Sequence, residues 1–110
     1  MDVYSNKRGS GRAKREFSLE IKTNSGTKQV YTIDFSQGGV KVGGVLLALA
    51  LGEKVEVTLR AGGVSVSFPG QVIREDGMHY LNRIGRDVST FVIRITDEQF
   101  TEFVKSNYGV

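Results

Sequence analysis

The sequence predicts a mainly β fold, a small antiparallel β-barrel or sandwich followed by one short C-terminal helix. The first reason is that apolar and polar residues alternate along most of the chain, as they do in half-buried strands. The second is that many of the 14 glycines lie between these alternating runs, where turns are needed. The third is that only the C-terminal end changes to a helical period. A chain of 110 residues fits one domain, which we expect to span residues 16–110.

Strands are predicted wherever apolar side chains recur at every second position. The predicted strands are, in chain order, residues 16–22, 28–33, 40–42, 54–60, 64–68, 71–74, 78–84 and 91–95. Pro69 and Gly70 are expected to interrupt pairing, because proline cannot donate to a sheet ladder. The Glu-Asp-Gly sequence at residues 75–77 is expected to form a turn. Counting across the proline interruption, about seven strands are predicted.

Two segments do not follow the strand pattern. Residues 45–51 form the longest apolar run, and at this length a helix and a buried crossing segment are equally compatible with it. A helix is predicted over residues 97–107 or so, because Thr96 and Gln99 have the spacing of a capping box. Phe100 begins the apolar face of this helix, and an Asn and a Gly near the C-terminus are its stop signals.

The charge of the chain is concentrated at its N-terminus. Residues 1–15 carry five basic side chains against one carboxylate, whereas residues 16–110 carry ten basic and eleven acidic side chains. We therefore expect a flexible basic arm on a nearly neutral body, and such an arm implies an anionic partner. The longest apolar run is far shorter than the roughly 20 residues of a membrane span. Without a signal-like apolar core near the N-terminus, a cytoplasmic location is expected.

The sequence does not predict an enzyme. It has no cysteine, and its one histidine, His79, lies in a predicted strand without a carboxylate at a catalytic spacing. No nucleophile elbow, phosphate-binding lysine loop or cluster of metal ligands is present in the sequence. We therefore expect no catalytic residue, no metal site and no cofactor.

Two short motifs are complementary to a guanine nucleotide. The arm contains Arg8 and Arg12, separated by three residues, and the turn after the second strand contains Asp34, Ser36 and Gly39. Arginine binds phosphate through two parallel hydrogen bonds and also recognises the acceptor edge of guanine. A carboxylate accepts hydrogen bonds from the N–H groups of a purine, and a hydroxyl beside glycine amides suits a phosphate or carbonyl oxygen.

These motifs, in this order on a small β-barrel with a C-terminal helix, resemble a PilZ domain. The resemblance extends over nearly the whole chain and implies a split β-barrel of six or seven strands that is a receptor for cyclic di-GMP. It implies that Arg8 and Arg12 wrap the ligand, meeting its phosphates and guanine. It also implies that Asp34, Ser36 and Gly39 bind guanine from the barrel.

The arm departs from the usual PilZ pattern in one respect. The second arginine of the family motif commonly stands a few residues before the first strand, where Arg15 lies closer than Arg12. Either of these two residues can therefore take the second motif role. Lys7, Arg15, Gly38 and Arg74 are candidates for additional ligand contacts, and in the family the residue in the position of Lys7 influences whether one or two ligands bind.

The sequence therefore favours a bacterial second-messenger receptor in which cyclic di-GMP orders the arm and alters a surface for a downstream protein. One alternative is a small basic barrel that binds single-stranded nucleic acid, which would need exposed aromatic residues on one face. Phe17, Tyr31, Phe35 and Phe68, however, have the spacing of core residues. The other alternative is a PilZ-like adaptor that binds a protein without any ligand.

Overall fold

Residues 18–36, 38–61 and 63–108 are described by a computed structural model, and they form six antiparallel strands and one helix. In chain order these are β1 (Ser18–Thr23), β2 (Gly26–Ser36), β3 (Gly39–Gly44), β4 (Lys54–Ala61), β5 (Val64–Leu81), β6 (Arg86–Arg94) and α1 (Glu98–Tyr108). The strands pair in the order β1-β2-β3-β6-β5-β4, and β4 pairs with β1 to close the barrel. The predicted mainly β barrel with a C-terminal helix is therefore confirmed.

The barrel encloses one hydrophobic core, to which α1 contributes Phe100 and Val104. The buried residues of this core are Leu19, Ile21, Val30, Phe35, Val40, Val42, Leu49, Val55, Val57, Leu59, Phe68, Val72, Phe91, Ile93, Ile95, Phe100 and Val104. Phe100 of α1 meets Phe68 edge-on, with ring centroids 5.4 Å apart, and its ring lies 6.4 Å from that of Phe35. Edge-to-face pairs add to the burial energy of aromatic rings, so they fix the helix on the barrel.

The helix begins one residue later than the capping-box pattern predicted. The carboxylate of Asp97 accepts a hydrogen bond from the backbone N–H of Gln99 at 2.9 Å, so Asp97 is the N-terminal cap. The prediction that Thr96 caps the helix is therefore wrong. Acidic Glu98 in the first turn and Lys105 in the last both suit the helix dipole. No helix in the described ranges is long and apolar enough to cross a membrane.

Strand β5 is one continuous strand, although the sequence predicted three shorter ones. Pro69 pairs with Glu56 of β4 without interruption. Pairing of β5 with β6 begins only at Gln71, so no partner strand requires the N–H that proline lacks. The turn predicted at residues 75–77 is instead a bulge, in which two residues of β5 are accommodated opposite Thr90.

The apolar run at residues 45–51 forms neither a helix nor a strand. A turn closes it at one end, where the N–H of Leu47 donates to the carbonyl of Gly44 at 3.2 Å. Leu46 lies at the tip of this turn with φ of 57° and with 90% of its surface exposed. Leu49 is buried in the core, whereas Leu51 is exposed. The run therefore connects β3 to β4 and buries only some of its leucines.

Replacing Leu46 with Gly should stabilise the protein. The left-handed conformation costs a residue with a Cβ about 1–2 kcal/mol, and glycine avoids this cost. Glycine is also more flexible in the unfolded chain, which offsets roughly 0.5–1 kcal/mol of the gain in stability. We expect urea denaturation to show an increase of about 0.5–1 kcal/mol in the free energy of unfolding. Leu51→Gly is the matched control, because Leu51 is exposed in the same loop without a positive φ. Equal destabilisation by both substitutions would contradict this explanation.

Candidate ligand-binding site

Asp34 lies on the outside of the barrel because of a bulge in β2. Val30 and Thr32 of this strand are buried, so strict alternation would turn Asp34 inward as well. Instead, Thr32 pairs with Val42 and Asp34 pairs with Lys41, which leaves Ile33 as an extra residue in β2. This extra residue shifts the alternation, so that Asp34 is half-buried on the outer face and Phe35 enters the core.

A side chain at Gly43 would meet both the bulge residue and β6. A Cβ atom at Gly43 would lie 2.8 Å from Cγ2 of Val88 and 3.3 Å from Cδ1 of Ile33. Real Cβ atoms essentially never make a contact as short as the first, so Val88 would have to move, whereas the end of the Ile33 side chain would have to give by only a few tenths of an ångström. The absence of a side chain at Gly43 therefore lets β3 pack closely against Val88.

The turn that follows Asp34 is fixed to the rest of the barrel. Ser36 pairs with Gly39 across a two-residue connection, in which Gly38 has φ of 79°. The N–H of Ile95 donates to the carbonyl of Gly38 at 2.7 Å, which ties the turn to the end of β6. A Cβ atom at Gly39 would lie only 2.8 Å from the carbonyl oxygen of Ile93. Gly39 therefore allows β3 and β6 to approach each other closely at the motif.

A cluster of three charged side chains lies beside Asp34 on the outer face. The ammonium of Lys41 is 2.8 Å from one carboxylate oxygen of Asp76, and Nε of Arg74 is 3.6 Å from the other oxygen. Lys41 belongs to β3, whereas Arg74 and the bulge residue Asp76 belong to β5. We call Lys41, Arg74 and Asp76 the charge cluster. Two cations and one carboxylate give it a formal charge of +1.

The strand registers align this cluster with the motif. Asp34 pairs with Lys41, Lys41 pairs with Val92 of β6, and Val92 pairs with Arg74 of β5. The four residues thus form one row across four strands. Val92 separates the two cations in this row. Ile73, the extra residue of a bulge in β5, is exposed beside Arg74. The row combines an acid, two cations and an apolar surface.

A groove of about 550 Å³ adjoins this row. Val92 and Ile73 lie along its wall, and the groove continues past Gly38 and Gly39 to the first turn of α1. Its volume is in the range of small-molecule sites. Its lining combines apolar side chains with the charged residues Arg94, Asp97 and Glu98.

Some of the predicted site residues lie on one side of the barrel, and the others are not among the described residues. Asp34, Gly38, Gly39 and Arg74 share the outer face or the adjoining groove. Lys7, Arg8, Arg12 and Arg15 lie outside the described residues. Ser36 is described only through its backbone, and its side chain lies outside the description as well. His79 is exposed on β5, as expected of a histidine on the barrel surface.

Sequence reasoning missed Lys41 and Asp76 as members of this site. Lys41 is the only charged residue of the short strand β3, two positions after Gly39, and this spacing could have indicated a shared face. No signal in the sequence separated Asp76 from an ordinary turn residue. Its place depends on the bulge that β5 makes opposite Thr90, whose hydroxyl donates to the carbonyl of Gly77 at 2.9 Å.

The fold and the site define a class of protein: small six-stranded antiparallel barrels closed by a C-terminal helix, with a polar motif on the hairpin between β2 and β3. The chain belongs to the PilZ domain family, whose model matches residues 6–105. It is also similar to the crystal structure of the PilZ domain of CeSA from a cellulose-synthesizing bacterium. That similarity covers 91% of this chain and 97% of the other, with 21% identity and a TM-score of 0.60. Among curated proteins no relative was found.

Replacing Gly39 with Ala should destabilise the barrel at the motif. The new methyl group meets backbone rather than a movable side chain, so β3 and β6 must separate, at a cost of about 1–3 kcal/mol. Gly44→Ala is the control, because Gly44 lies in the same strand and its nearest neighbour is the Cβ of Leu47, at 3.2 Å, in a connecting loop. Urea denaturation should show the larger loss for Gly39→Ala. A loss no greater than that of Gly44→Ala would contradict the structural role of Gly39.

The charge cluster should make stability depend on pH in acid. The hydrogen bond from Lys41, then the charges of Lys41 and Arg74, hold the pKa of Asp76 below its ordinary value of 3.8. The pKa of Asp76 is lower in the folded protein than in the unfolded chain. Its contribution to the free energy of unfolding is therefore complete above the pKa of the unfolded chain and disappears as the pH falls through the pKa of the folded protein. We expect Asp76→Asn to lower the urea midpoint near pH 7, and we expect this difference from wild type to shrink as the pH falls below the ordinary pKa of 3.8. In a Lys41→Met background this pH-dependent difference should shrink, and an unchanged difference would assign the effect to another group.

Proposed function

We propose that the chain is a receptor for cyclic di-GMP that binds the ligand between its N-terminal arm and the outer face of the barrel. The observation that carries the proposal is the position of Asp34, which a bulge turns outward just before the turn whose Gly38 and Gly39 line the groove. Membership of the PilZ family supports it, because receptors for this ligand are typical of the family. The order of the two motifs, Arg8 and Arg12 before Asp34, supports it further.

In this proposal the two motifs recognise different parts of the ligand. The carboxylate of Asp34 accepts hydrogen bonds from the N–H groups of one guanine. A purine that carries only acceptors on that edge could not donate these hydrogen bonds. The guanidinium groups of Arg8 and Arg12, or of Arg15 in place of Arg12, bind phosphate and the O6 and N7 acceptors of guanine. The hydroxyl of Ser36 and the backbone at Gly39 contact the ligand from the turn.

Binding would then act as a switch without catalysis. Residues 5–15 would become fixed over the ligand, and the surface made by the arm and the barrel would be recognised by a downstream protein. The energy needed to order the arm lowers the affinity but links ligand binding to the new surface. A bacterial cytoplasm is the compartment in which we expect this receptor to act.

The described part of the chain does not favour the nucleic-acid alternative. Phe35 and Phe68 are buried in the core, so they cannot stack on bases. Tyr31 is half-buried, with the guanidinium carbon of Arg83 located 5.8 Å from its ring centroid. No specific observation supports a function as a ligand-free adaptor either.

Calorimetric titration with cyclic di-GMP at about 150 mM salt tests the proposal directly. Wild-type protein should bind saturably, and Asp34→Ala should abolish or greatly weaken binding. Arg12→Ala should lose a charge-assisted contact worth roughly 1.5–3 kcal/mol, which is about 10- to 150-fold in affinity. A parallel Arg15→Ala titration identifies which of the two arginines completes the motif.

Two control variants separate specific contacts from net charge. Lys14→Ala removes a cation of the arm outside the motif, and Asp87→Ala removes an exposed acid of β6 away from Asp34. Asp87→Ala should bind within about twofold of wild type, since a distant exposed charge is largely screened at this salt concentration. Lys14→Ala should lose less affinity than Arg12→Ala if the contact of the motif arginine is specific. Absence of binding by a folded wild-type protein would refute the proposed function.

A further inference from the structure

The charge cluster is built in a way that barrel stability does not require. Exposed ion pairs contribute between zero and about 1 kcal/mol, and the side chains of Lys41, Asp76 and Arg74 are 28%, 34% and 62% exposed. Nevertheless, three features position them. Lys41 lies opposite Asp34, one bulge in β5 brings Arg74 into the same row, and a second bulge turns Asp76 toward both cations. This placement suggests a role at the adjoining site.

The spacing of the two cations suits an anion with apolar neighbours. Lys41 and Arg74 lie on either side of Val92 in the row, and Ile73 is exposed beside them. The same Val92 and Ile73 line the groove that begins at the motif turn. A phosphate placed above Val92 would therefore meet a cation on each side, while the attached ribose or base would meet the apolar wall.

In the structure a carboxylate of the protein serves as the anion of these cations. Asp76 contacts Lys41 through one oxygen and Arg74 through the other, at 2.8 and 3.6 Å. A ligand phosphate has the same charge sign and the same oxygen acceptors as this carboxylate. It can therefore compete with Asp76 for the two cations.

We propose that Lys41 and Arg74 form a second phosphate-binding position of the cyclic di-GMP site, in which Asp76 is the counter-ion that the ligand displaces. The inference rests on the proposed function and extends it to Lys41 and Asp76, which neither motif contains. Asp76 then limits affinity, because each binding event must break its contacts. It also disfavours weakly charged ligands, which cannot displace a carboxylate.

The proposal predicts opposite effects for the two partners of one ion pair. Asp76→Asn keeps the size of the side chain and removes the competing charge, so it should tighten cyclic di-GMP binding by about two- to fivefold at 150 mM salt. Lys41→Met keeps most of the apolar stem, removes the contact and leaves Asp76 facing the ligand. It should weaken binding by roughly three- to tenfold.

The double variant distinguishes a contact from a change of net charge. Lys41→Met combined with Asp76→Asn has the net charge of the wild type but lacks the ammonium. It should bind more tightly than Lys41→Met combined with Asp87→Asn, which has the same net charge but keeps Asp76. Equal binding by these two double variants would mean that only net charge matters and would overturn the proposal. Asp87→Asn controls for distant charge, because Asp87 lies five residues from Val92, or about 16 Å along β6, well beyond the screening length. Tightening by Asp87→Asn as large as that by Asp76→Asn would also overturn it.

A second measurement separates failure of this inference from failure of the proposed function. Pyrophosphate is titrated into wild-type and Asp76→Asn protein, and NMR resonances of the Lys41 ammonium and the Arg74 Nε–H are followed. Saturable shifts of both groups, at lower pyrophosphate concentrations for Asp76→Asn, would support the phosphate position even if cyclic di-GMP did not bind. Binding of cyclic di-GMP to the wild type with no effect of Asp76→Asn would reject the inference and leave the receptor function standing. Absence of shifts with pyrophosphate in a protein that also fails to bind cyclic di-GMP would reject both.

Discussion

The site depends on the two-residue alternation of a β-strand and on three bulges that break it, two of which turn Asp34 and Arg74 outward. In β2 the extra residue is Ile33, and in β5 it is Ile73. Each follows a buried residue and precedes a charged one, Asp34 or Arg74. Without the bulges both charges would point into the core, where an unpaired charge costs far more than a barrel of this size can supply. The bulges thus allow a hydrophobic strand to carry a charged residue on its outer face at the required position.

The two bulges belong to strands that are not adjacent, and the registers of β3 and β6 decide where they meet. Because β3 pairs with β2 and β6 pairs with β5, the residues Asp34 and Arg74 become the two ends of one row. Gly39 controls this alignment, since its missing side chain lets β3 approach the carbonyl of Ile93. The motif glycine therefore has a structural role that is separate from any contact with a ligand.

Much of the fold could be predicted from local patterns, because alternation, glycine turns and the helical period are local properties. The hairpin between β1 and β2 and helix α1 followed directly from them. The continuity of β5 could not be predicted in this way, because Pro69 is compatible with a strand only where the neighbouring β6 has not yet begun to pair. Similarly, Glu-Asp-Gly at residues 75–77 has the composition of a turn, and only pairing with β6 makes it a bulge. Asp34 was identified through its motif, whereas Asp76 depends on contacts between strands that sequence does not encode locally.

The separation of the core from the site explains how such a surface can vary while the barrel remains stable. Two fully buried rings, Phe68 of β5 and Phe100 of α1, pack against each other where α1 meets the barrel, and neither belongs to the row that begins at Asp34. The energy of the fold is therefore concentrated in the interior, at about 1.5–3 kcal/mol for each large buried side chain. Exposed charges contribute much less to it. A substitution in the charge cluster consequently changes what the surface binds before it changes whether the chain folds, so a loss of affinity there reports on recognition.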